Sequence, residues 1–172
     1  MNLHKFLLVT VFTSLFMFSK AQNPEGFDKM CAQYINVTIS IVTAEQLKDS
    51  VEKNNDLVIL DAREPKEYNV AHLPQAKLFG YNNMNWSLVK SLDREIPIYV
   101  YCSIGYRSEK VGEKLKKQGF MKVYNVYGGV FSWANSGFPL IDSTGKFTHA
   151  VHGYNKEWAK WVNTEKCTPI VD

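Results

Sequence analysis

The chain has 172 residues, of which 45% are hydrophobic and 22% are charged, and this size fits one ordinary globular domain. The formal net charge is +3, and two of the positive side chains, Lys5 and Lys20, lie in residues 1–21. Without that segment the chain is within about one charge of neutral. A balance this even predicts no broad basic surface for nucleic acid or for anionic membranes.

Residues 1–21 have the layout of a secretory signal peptide. His4 and Lys5 stand near the start, and residues 6–18 are mostly apolar. Ser19 and Ala21 are small residues at positions −3 and −1 of a cleavage site. A retained membrane anchor is the alternative, but the apolar run is short for a spanning helix, which needs about 20 residues. We therefore expect an exported protein, periplasmic or extracellular, that is not held in the membrane once the signal is cleaved.

The chain has three cysteines, Cys31, Cys102 and Cys167. In an oxidising compartment two of them can pair and leave one free. Cys31 and Cys167 lie near opposite ends of the exported part, and the termini of a domain are often close together. A disulfide between these two is one interpretation. Two unrelated thiols is the other, and we favour it because sequence alone does not supply the distance that a disulfide requires.

Strand and helix patterns alternate along the rest of the chain. Continuous apolar runs are typical of strands buried on both faces, and capping or 3.6-residue patterns are typical of helices. In chain order these patterns predict a partly helical lead-in over residues 22–36, strands over 39–42, 57–60, 96–101 and 123–127, and helices over 43–52 and 107–118. The alternation predicts an α/β domain with a mainly parallel sheet.

The C-terminal segment contains three large aromatic residues, Tyr154, Trp158 and Trp161. Their spacings of four and three would place them on one face of a helix. We therefore predict a short helix over residues 155–162 that docks on the domain. It would lie either at the mouth of a pocket around Cys102 or on the far side of the domain, and we favour the far side.

The most informative stretch joins the predicted strand over 96–101 to the predicted helix over 107–118. Anions bind at strand ends and helix N-termini, because unpaired N–H groups and the helix dipole point there. A cysteine at this point, Cys102, should have its thiolate form stabilised. Gly105 allows a left-handed turn that directs successive amides into one cavity. Arg107 either contacts a bound anion or ties the loop to a carboxylate. A buried structural cysteine is the alternative.

The same stretch carries a family motif. Cys-x-x-Gly-x-Arg-Ser, read from Cys102 to Ser108, resembles the active-site loop of the rhodanese (thiosulfate sulfurtransferase) family. Other motifs similar to those of the family follow in order between about residues 38 and 140: Asp61-Ala62-Arg63, Glu67, His72-Leu73-Pro74, Gly119-Phe120, Val123-Tyr124, Gly128-Gly129, Trp133 and Gly137-Phe138-Pro139. Ala71 and Gln75 stand where the family usually has glycine, which we interpret as altered turn geometry. The resemblance implies a rhodanese-like, open, mainly parallel five-stranded sheet with helices on both faces.

The resemblance also implies a covalent two-step cycle. The Cys102 thiolate would take the sulfane sulfur of a donor such as thiosulfate, and a thiol or cyanide would then remove it from the Cys102 persulfide. The substrates would be small sulfur-containing anions and thiols, a protein thiol being a further acceptor, and no cofactor is implied. Related phosphatases and arsenate reductases have a loop one residue longer. The anion-binding loop itself would consist of Ser103, Ile104, Gly105, Tyr106 and Arg107.

Three sets of polar or charged residues outside the loop have roles that the sequence pattern does not decide. Asp61 and Arg63 either help to shape the anion pocket or form a structural salt bridge, and we favour the salt bridge. His72 is interpreted as a hydrogen-bonded structural histidine. His149 and His152 are interpreted as surface residues, and with no metal-ligand spacing in the sequence we predict no metal site.

These observations divide the chain into four parts. They are a signal peptide over residues 1–21, a lead-in over 22–37, a rhodanese-like domain over 38–140 and a packed C-terminal extension over 141–172. Two classes of function remain, a sulfurtransferase and a non-catalytic module that binds a partner or senses sulfur species. Because Cys102, Gly105 and Arg107 are all present, we favour the enzyme.

Overall fold

The computed structural model describes residues 23–53 and 56–171. The predicted signal segment lies outside them, so export stays a prediction. Within the described ranges no helix has both the length and the apolar character that a membrane crossing requires.

A five-stranded parallel sheet forms the centre of the molecule. Four of its strands follow the apolar runs of the sequence, and a short fifth strand over residues 77–78 was not among them. Each neighbouring pair described within this sheet is parallel. The strands are β1 (Ser40–Val42), β2 (Val58–Asp61), β3 (Lys77–Leu78), β4 (Ile98–Tyr101) and β5 (Val123–Val126). Their spatial order is β1-β5-β4-β2-β3, and this sheet confirms the predicted fold class.

Helices cover both faces of this sheet because its central strands are buried on both sides. In β4, for example, Tyr99 and Tyr101 belong to one hydrophobic core and Ile98 and Val100 to the other. This alternation follows from the two-residue period of a strand. The helices are α1 (Phe27–Tyr34), α2 (Ala44–Lys53), α3 (Pro65–Val70), α4 (Tyr106–Lys117), α5 (Gly129–Asn135) and, in the extension, α6 (Lys156–Ala159). The first core packs against α1, α2 and α5, and the second packs against α4.

Local sequence signals explain where two of these helices begin. The Thr43 amide donates to Gln46 Oε1 at 2.8 Å and the Gln46 amide donates to Thr43 Oγ1 at 3.2 Å, which is the predicted capping box of α2. Helix α3 was not predicted. It has Pro65 in its first turn, preceded by Glu64 as its cap.

The C-terminal extension forms two small sheets and one helical turn. β6 (Leu140–Ile141) pairs antiparallel with β7 (Phe147–Thr148), and β8 (Ala150–His152) pairs parallel with β9 (Thr168–Ile170). The predicted helix over residues 155–162 is wrong in length, since α6 spans only Lys156–Ala159.

The predicted aromatic face of that helix is also wrong. Tyr154 precedes α6 in the left-handed conformation, with φ 67°, and is 49% exposed. Trp158 and Trp161 pack against the first core, where Trp161 meets Phe27 edge to face at 6.2 Å. Tyr154 is therefore separated from the two tryptophans because the chain turns at this residue before the helix starts.

Two further expectations can be compared with the structure. Cys31 and Cys167 are both free and buried, and the Cys167 thiol donates to the Ala134 carbonyl at 3.5 Å. The surface interpretation of the two C-terminal histidines is wrong for His152, which is 1% exposed in β8. His149 is exposed. The described residues contain no group of three side chains able to hold a metal ion.

Candidate active site

Cys102 directly follows the last residue of β4 and precedes α4 by a short loop. Its thiol is 1% exposed, and its Sγ accepts a hydrogen bond from the Gly105 amide at 3.1 Å. Strand β4 lies in the middle of the sheet, so the loop rises from its centre and not from an edge. The sulfur is thereby held at the N-terminus of a twelve-residue helix, where the helix dipole favours a negative charge.

The carbonyl groups of the loop are held by hydrogen bonds to other elements. Cys102 O accepts from the Val130 amide at 2.8 Å, and Ser103 O accepts from the Phe131 amide at 3.2 Å, both at the start of α5. Gly105 O accepts from Asn125 Nδ2 at 3.0 Å. With these carbonyls engaged elsewhere, the loop can present its N–H groups to an anion at the sulfur.

Several backbone N–H groups of the Cys102 loop are available to bind an anion. Within the described part of the chain, the backbone N–H groups of Ile104, Tyr106 and Arg107 donate to no backbone carbonyl. Ile104 is buried beneath the loop, whereas the Tyr106 side chain is 42% exposed. These amides, together with that of Gly105, form the candidate anion cradle.

Two glycines make this geometry accessible. Gly105 has φ 119°, a backbone conformation that side chains strongly disfavour, and a Cβ there would lie 2.6 Å from Ile35 Cδ1. Gly129 lies so close to the loop that a Cβ would lie 2.2 Å from the carbonyl oxygen of Cys102. The first glycine permits the turn, and the second permits the close approach of α5.

Arg107 forms a two-bond ion pair with Glu67 of α3. Its Nη1 donates to Glu67 Oε2 at 2.6 Å and its Nη2 donates to Glu67 Oε1 at 2.7 Å. Nη2 also donates to Ser103 Oγ at 3.1 Å, and that hydroxyl donates to Glu67 Oε1 at 3.3 Å. Of the two roles considered for Arg107, these contacts match the one that ties the loop to a carboxylate.

The electrostatics of this pair follow from burial and from the pairing itself. Burial alone would raise the pKa of Glu67, but the hydrogen bonds and charge of Arg107 outweigh it, so the pKa of the carboxyl is lowered. Burial alone would lower the pKa of Arg107, but the hydrogen bond to Glu67 and the charges of Cys102 and Glu67 raise it. Both groups are therefore charged at neutral pH.

Asp61 and Arg63 form a fully buried salt bridge. Arg63 Nη2 donates to Asp61 Oδ2 at 2.6 Å and to the Ala71 carbonyl at 2.7 Å. Burial lowers the pKa of Arg63, but the charge of Asp61 outweighs it and keeps the guanidinium ionised. These contacts hold the chain on both sides of α3, which is the structural role favoured for the pair.

His72 is also held by the backbone. Its Nδ1 is 3.0 Å from the Tyr68 carbonyl, and its ring stacks on Tyr68 at 3.7 Å between centroids. Burial lowers the pKa of this imidazole. His72 thus makes the contacts of a structural histidine, consistent with its interpretation from the sequence.

Sequence reasoning gave no role to two residues that position the loop. Glu67 lies 40 positions before its partner Arg107. Asn125 lies in β5 with no exposed surface, where it donates to Gly105 and its Oδ1 accepts from the Ser108 hydroxyl at 2.7 Å. A polar side chain inside the apolar run over 123–127 was the available signal for Asn125, because a buried amide needs hydrogen-bond partners.

Sequence comparison relates this chain to a known domain family. The rhodanese-like domain family matches residues 43–136. A putative sulfur carrier protein, YrkF, of Bacillus subtilis (strain 168) is 35% identical over 96 residues, covering 56% of this chain and 51% of that protein. The thiosulfate sulfurtransferase GlpE of Coxiella burnetii is 37% identical over 87 residues, covering 47% of this chain and 75% of that protein. The chain thus spans about half of the first relative and three quarters of the second.

Solved structures agree with the sequence comparison. A rhodanese-like domain protein from Staphylococcus aureus superimposes with a TM-score of 0.50 at 28% identity, covering 55% of this chain and 91% of that one. The rhodanese-like domain of an Anabaena protein superimposes with a TM-score of 0.55 at 25% identity, covering 61% and 80%. Because the family matches more than half of the chain and its fold is shared, this protein belongs to the rhodanese-like domain family.

Proposed function

We propose that the protein is a sulfurtransferase that carries sulfur on Cys102. The Cys102 thiolate attacks the outer, sulfane sulfur of a donor such as thiosulfate. A bond forms between Cys102 Sγ and that sulfur, the bond to the sulfonate group breaks, and sulfite leaves with its electron pair. An acceptor thiolate or cyanide then attacks the outer sulfur of the persulfide and restores the Cys102 thiolate. Its relatives include a protein named as a thiosulfate sulfurtransferase.

The hydrogen bond from the Gly105 amide to Cys102 Sγ carries this proposal. It holds the sulfur at the N-terminus of α4, next to the loop whose Ile104, Tyr106 and Arg107 amides make no backbone hydrogen bond among the described residues. These donors are fixed before reaction, so they stabilise a persulfide anion without reorganisation. The same cradle suits the negative charge of a thiosulfate donor.

Arg107 supports the reaction by bracing the loop. Both terminal nitrogens of its guanidinium, Nη1 and Nη2, donate to Glu67 and Ser103, so turning them toward a donor would break a largely buried ion pair. Breaking such a pair is costly. The loop amides are therefore the principal anion ligands, and Arg107 adds its positive charge to the field at the sulfur.

The other two cysteines are poorly suited to the chemistry. Burial, with the charges of Asp28 and Cys102, raises the pKa of Cys31 to about 12. Burial also raises the pKa of Cys167. Since the thiolate is the nucleophile, both remain unreactive near neutral pH.

Intact-mass spectrometry after treatment with thiosulfate tests the proposal. We expect one added sulfur, mapped by peptide analysis to Cys102 and removed by cyanide as thiocyanate. The Cys102→Ser variant should gain no sulfur and keep the wild-type melting temperature, and Cys167→Ser is the matched control that should still gain it. A folded wild-type protein that accepts no sulfur from thiosulfate or polysulfide would instead support a binding or sensing module.

A further inference from the structure

The C-terminal extension, which lies beyond the family match, packs beside the active-site loop. Strand β8 contacts α3, which supplies Glu67, and α5, whose first amides bind the loop carbonyls. Val151 is fully buried and His152 is 1% exposed, and β9 pairs with β8 from the outside. The extension thus adjoins both elements that hold the Cys102 loop, so the far-side position favoured from the sequence is wrong.

The turn that follows β8 is held by several hydrogen bonds. The Gly153 amide donates to Ile170 O at 2.7 Å, and the Tyr154 amide donates to His152 Nδ1 at 3.0 Å. The Asn155 amide donates to Gly153 O at 2.8 Å. Tyr154 adopts φ 67° within this turn, which is uncommon for a tyrosine. Such a conformation persists only where the surrounding contacts fix it.

The turn directs the Tyr154 ring over Arg107. The ring centroid lies 5.8 Å from Arg107 Cζ, within the range of a cation–π contact. The guanidinium below it is the one that braces the Cys102 loop through Glu67 and Ser103. Tyr154 is 49% exposed, so its outer side faces solvent. It therefore stands between solvent and the buried brace of the loop.

We infer that Tyr154 is a specificity-determining residue that narrows the entrance to Cys102. Because the Cys102 thiol is 1% exposed, an acceptor must pass the rim of the loop to reach the outer sulfur. The ring over Arg107 of that loop admits small inorganic anions, such as cyanide or hydrosulfide, and disfavours bulky organic thiols. As a statement about acceptors, this inference rests on the proposed sulfur transfer. As a statement about access to Cys102, it does not.

Alkylation of Cys102 tests access without requiring any transfer activity. The probes are iodoacetamide and an iodoacetamide that carries fluorescein, with modification of Cys102 followed by peptide mass analysis. Tyr154→Ala should raise the rate with the bulky probe relative to the small one by about tenfold, in the range of steric discrimination by a pocket. Tyr154→Gly, which removes the ring and suits a positive φ, should do the same. Tyr154→Phe and Phe147→Ala should leave the ratio unchanged, since Phe147 is 79% exposed elsewhere in the extension.

Acceptor kinetics provide the second measurement. After loading with thiosulfate, Tyr154→Ala should raise kcat/KM for glutathione relative to cyanide, whereas Tyr154→Phe should not. An unchanged probe ratio in both ring-deletion variants overturns the inference. A wild-type protein that never forms a persulfide contradicts the proposed function instead, and the alkylation ratio still decides whether Tyr154 limits access.

Discussion

Glu67 and Arg107 connect two helices beside the Cys102 loop. Glu67 lies on α3 and Arg107 on the first turn of α4, and two hydrogen bonds of 2.6 and 2.7 Å join them. The Glu67 side chain has no exposed surface and that of Arg107 is 16% exposed. Because Ser103 bonds to both partners, a change in this pair should move the loop as well as weaken the fold.

Replacing Glu67 by glutamine should therefore lower both stability and activity. The amide keeps the shape but removes the charge opposite a largely buried guanidinium, and breaking such a pair costs about 3 kcal/mol. Urea denaturation measures the lost free energy of unfolding, and the rate of persulfide formation shows whether the Cys102 loop has moved. Glu113→Gln is the matched control: Glu113 lies on α4, the helix of Arg107, and pairs with Lys110 at a partly exposed position, so its loss should cost much less free energy of unfolding. Equal losses in both variants would contradict the bracing role.

Protonation of Glu67 should make the free energy of unfolding depend on pH in the acidic range. The folded-state pKa of Glu67 lies below its ordinary value of 4.5, so its contribution is present above pH 4.5 and is lost as pH falls through the folded value. Other carboxylates contribute to the wild-type profile. The informative quantity is the difference in unfolding free energy between wild type and Glu67→Gln, which should narrow below pH 4.5. A difference that stays constant across this window would show that Glu67 does not ionise as proposed.

The conformation of Gly105 should make it intolerant of alanine. An added methyl group would lie 2.6 Å from Ile35 Cδ1, and the backbone has φ 119°. We expect a loss of about 1–3 kcal/mol and a slower persulfide step, because the Gly105 amide would leave Cys102 Sγ. Gly145→Ala is the control for the backbone alone, since Gly145 has φ 80° and open space around it. If both variants lose the same stability and neither loses activity, the Ile35 contact has no role in shaping the loop.

The sequence predicted those features that depend on neighbouring residues. The apolar runs predicted four of the five described strands of the central sheet, all but β3. The strand-to-helix position of Cys102 followed from residues within about ten positions of it. It did not predict the pairing of Arg107 with Glu67, because a carboxylate 40 positions away could equally have faced solvent. The prediction that the aromatic residues of the C-terminal extension share one helical face was wrong for a related reason. Tyr154 is fixed by the turn between β8 and α6, and the register of that turn is set by β9, sixteen residues later.

A family departure noted in the sequence leads to a stability prediction. Gln75 stands where the family usually has glycine, and it adopts φ 65° in an exposed turn. The left-handed conformation costs roughly 1–2 kcal/mol for a residue with a Cβ, and the greater flexibility of unfolded glycine offsets part of the gain. Gln75→Gly should stabilise the protein by about 0.5 kcal/mol in urea denaturation. Gln118→Gly, at φ −83°, is the matched change that should not stabilise it.

Docking of the C-terminal extension can be tested with one buried side chain. Val151 lies in β8 with no exposed surface and belongs to the first core, so Val151→Ala would leave a cavity between the extension and the domain. We expect a loss of about 2 kcal/mol in urea denaturation, with a single transition because the extension shares the core of the sheet. Phe147→Ala is the control from the same extension, and it should change stability little because that ring is 79% exposed. If Val151→Ala were as mild as Phe147→Ala, the extension would not be packed on the domain. The contact that holds Tyr154 beside Arg107 would then lose its structural support.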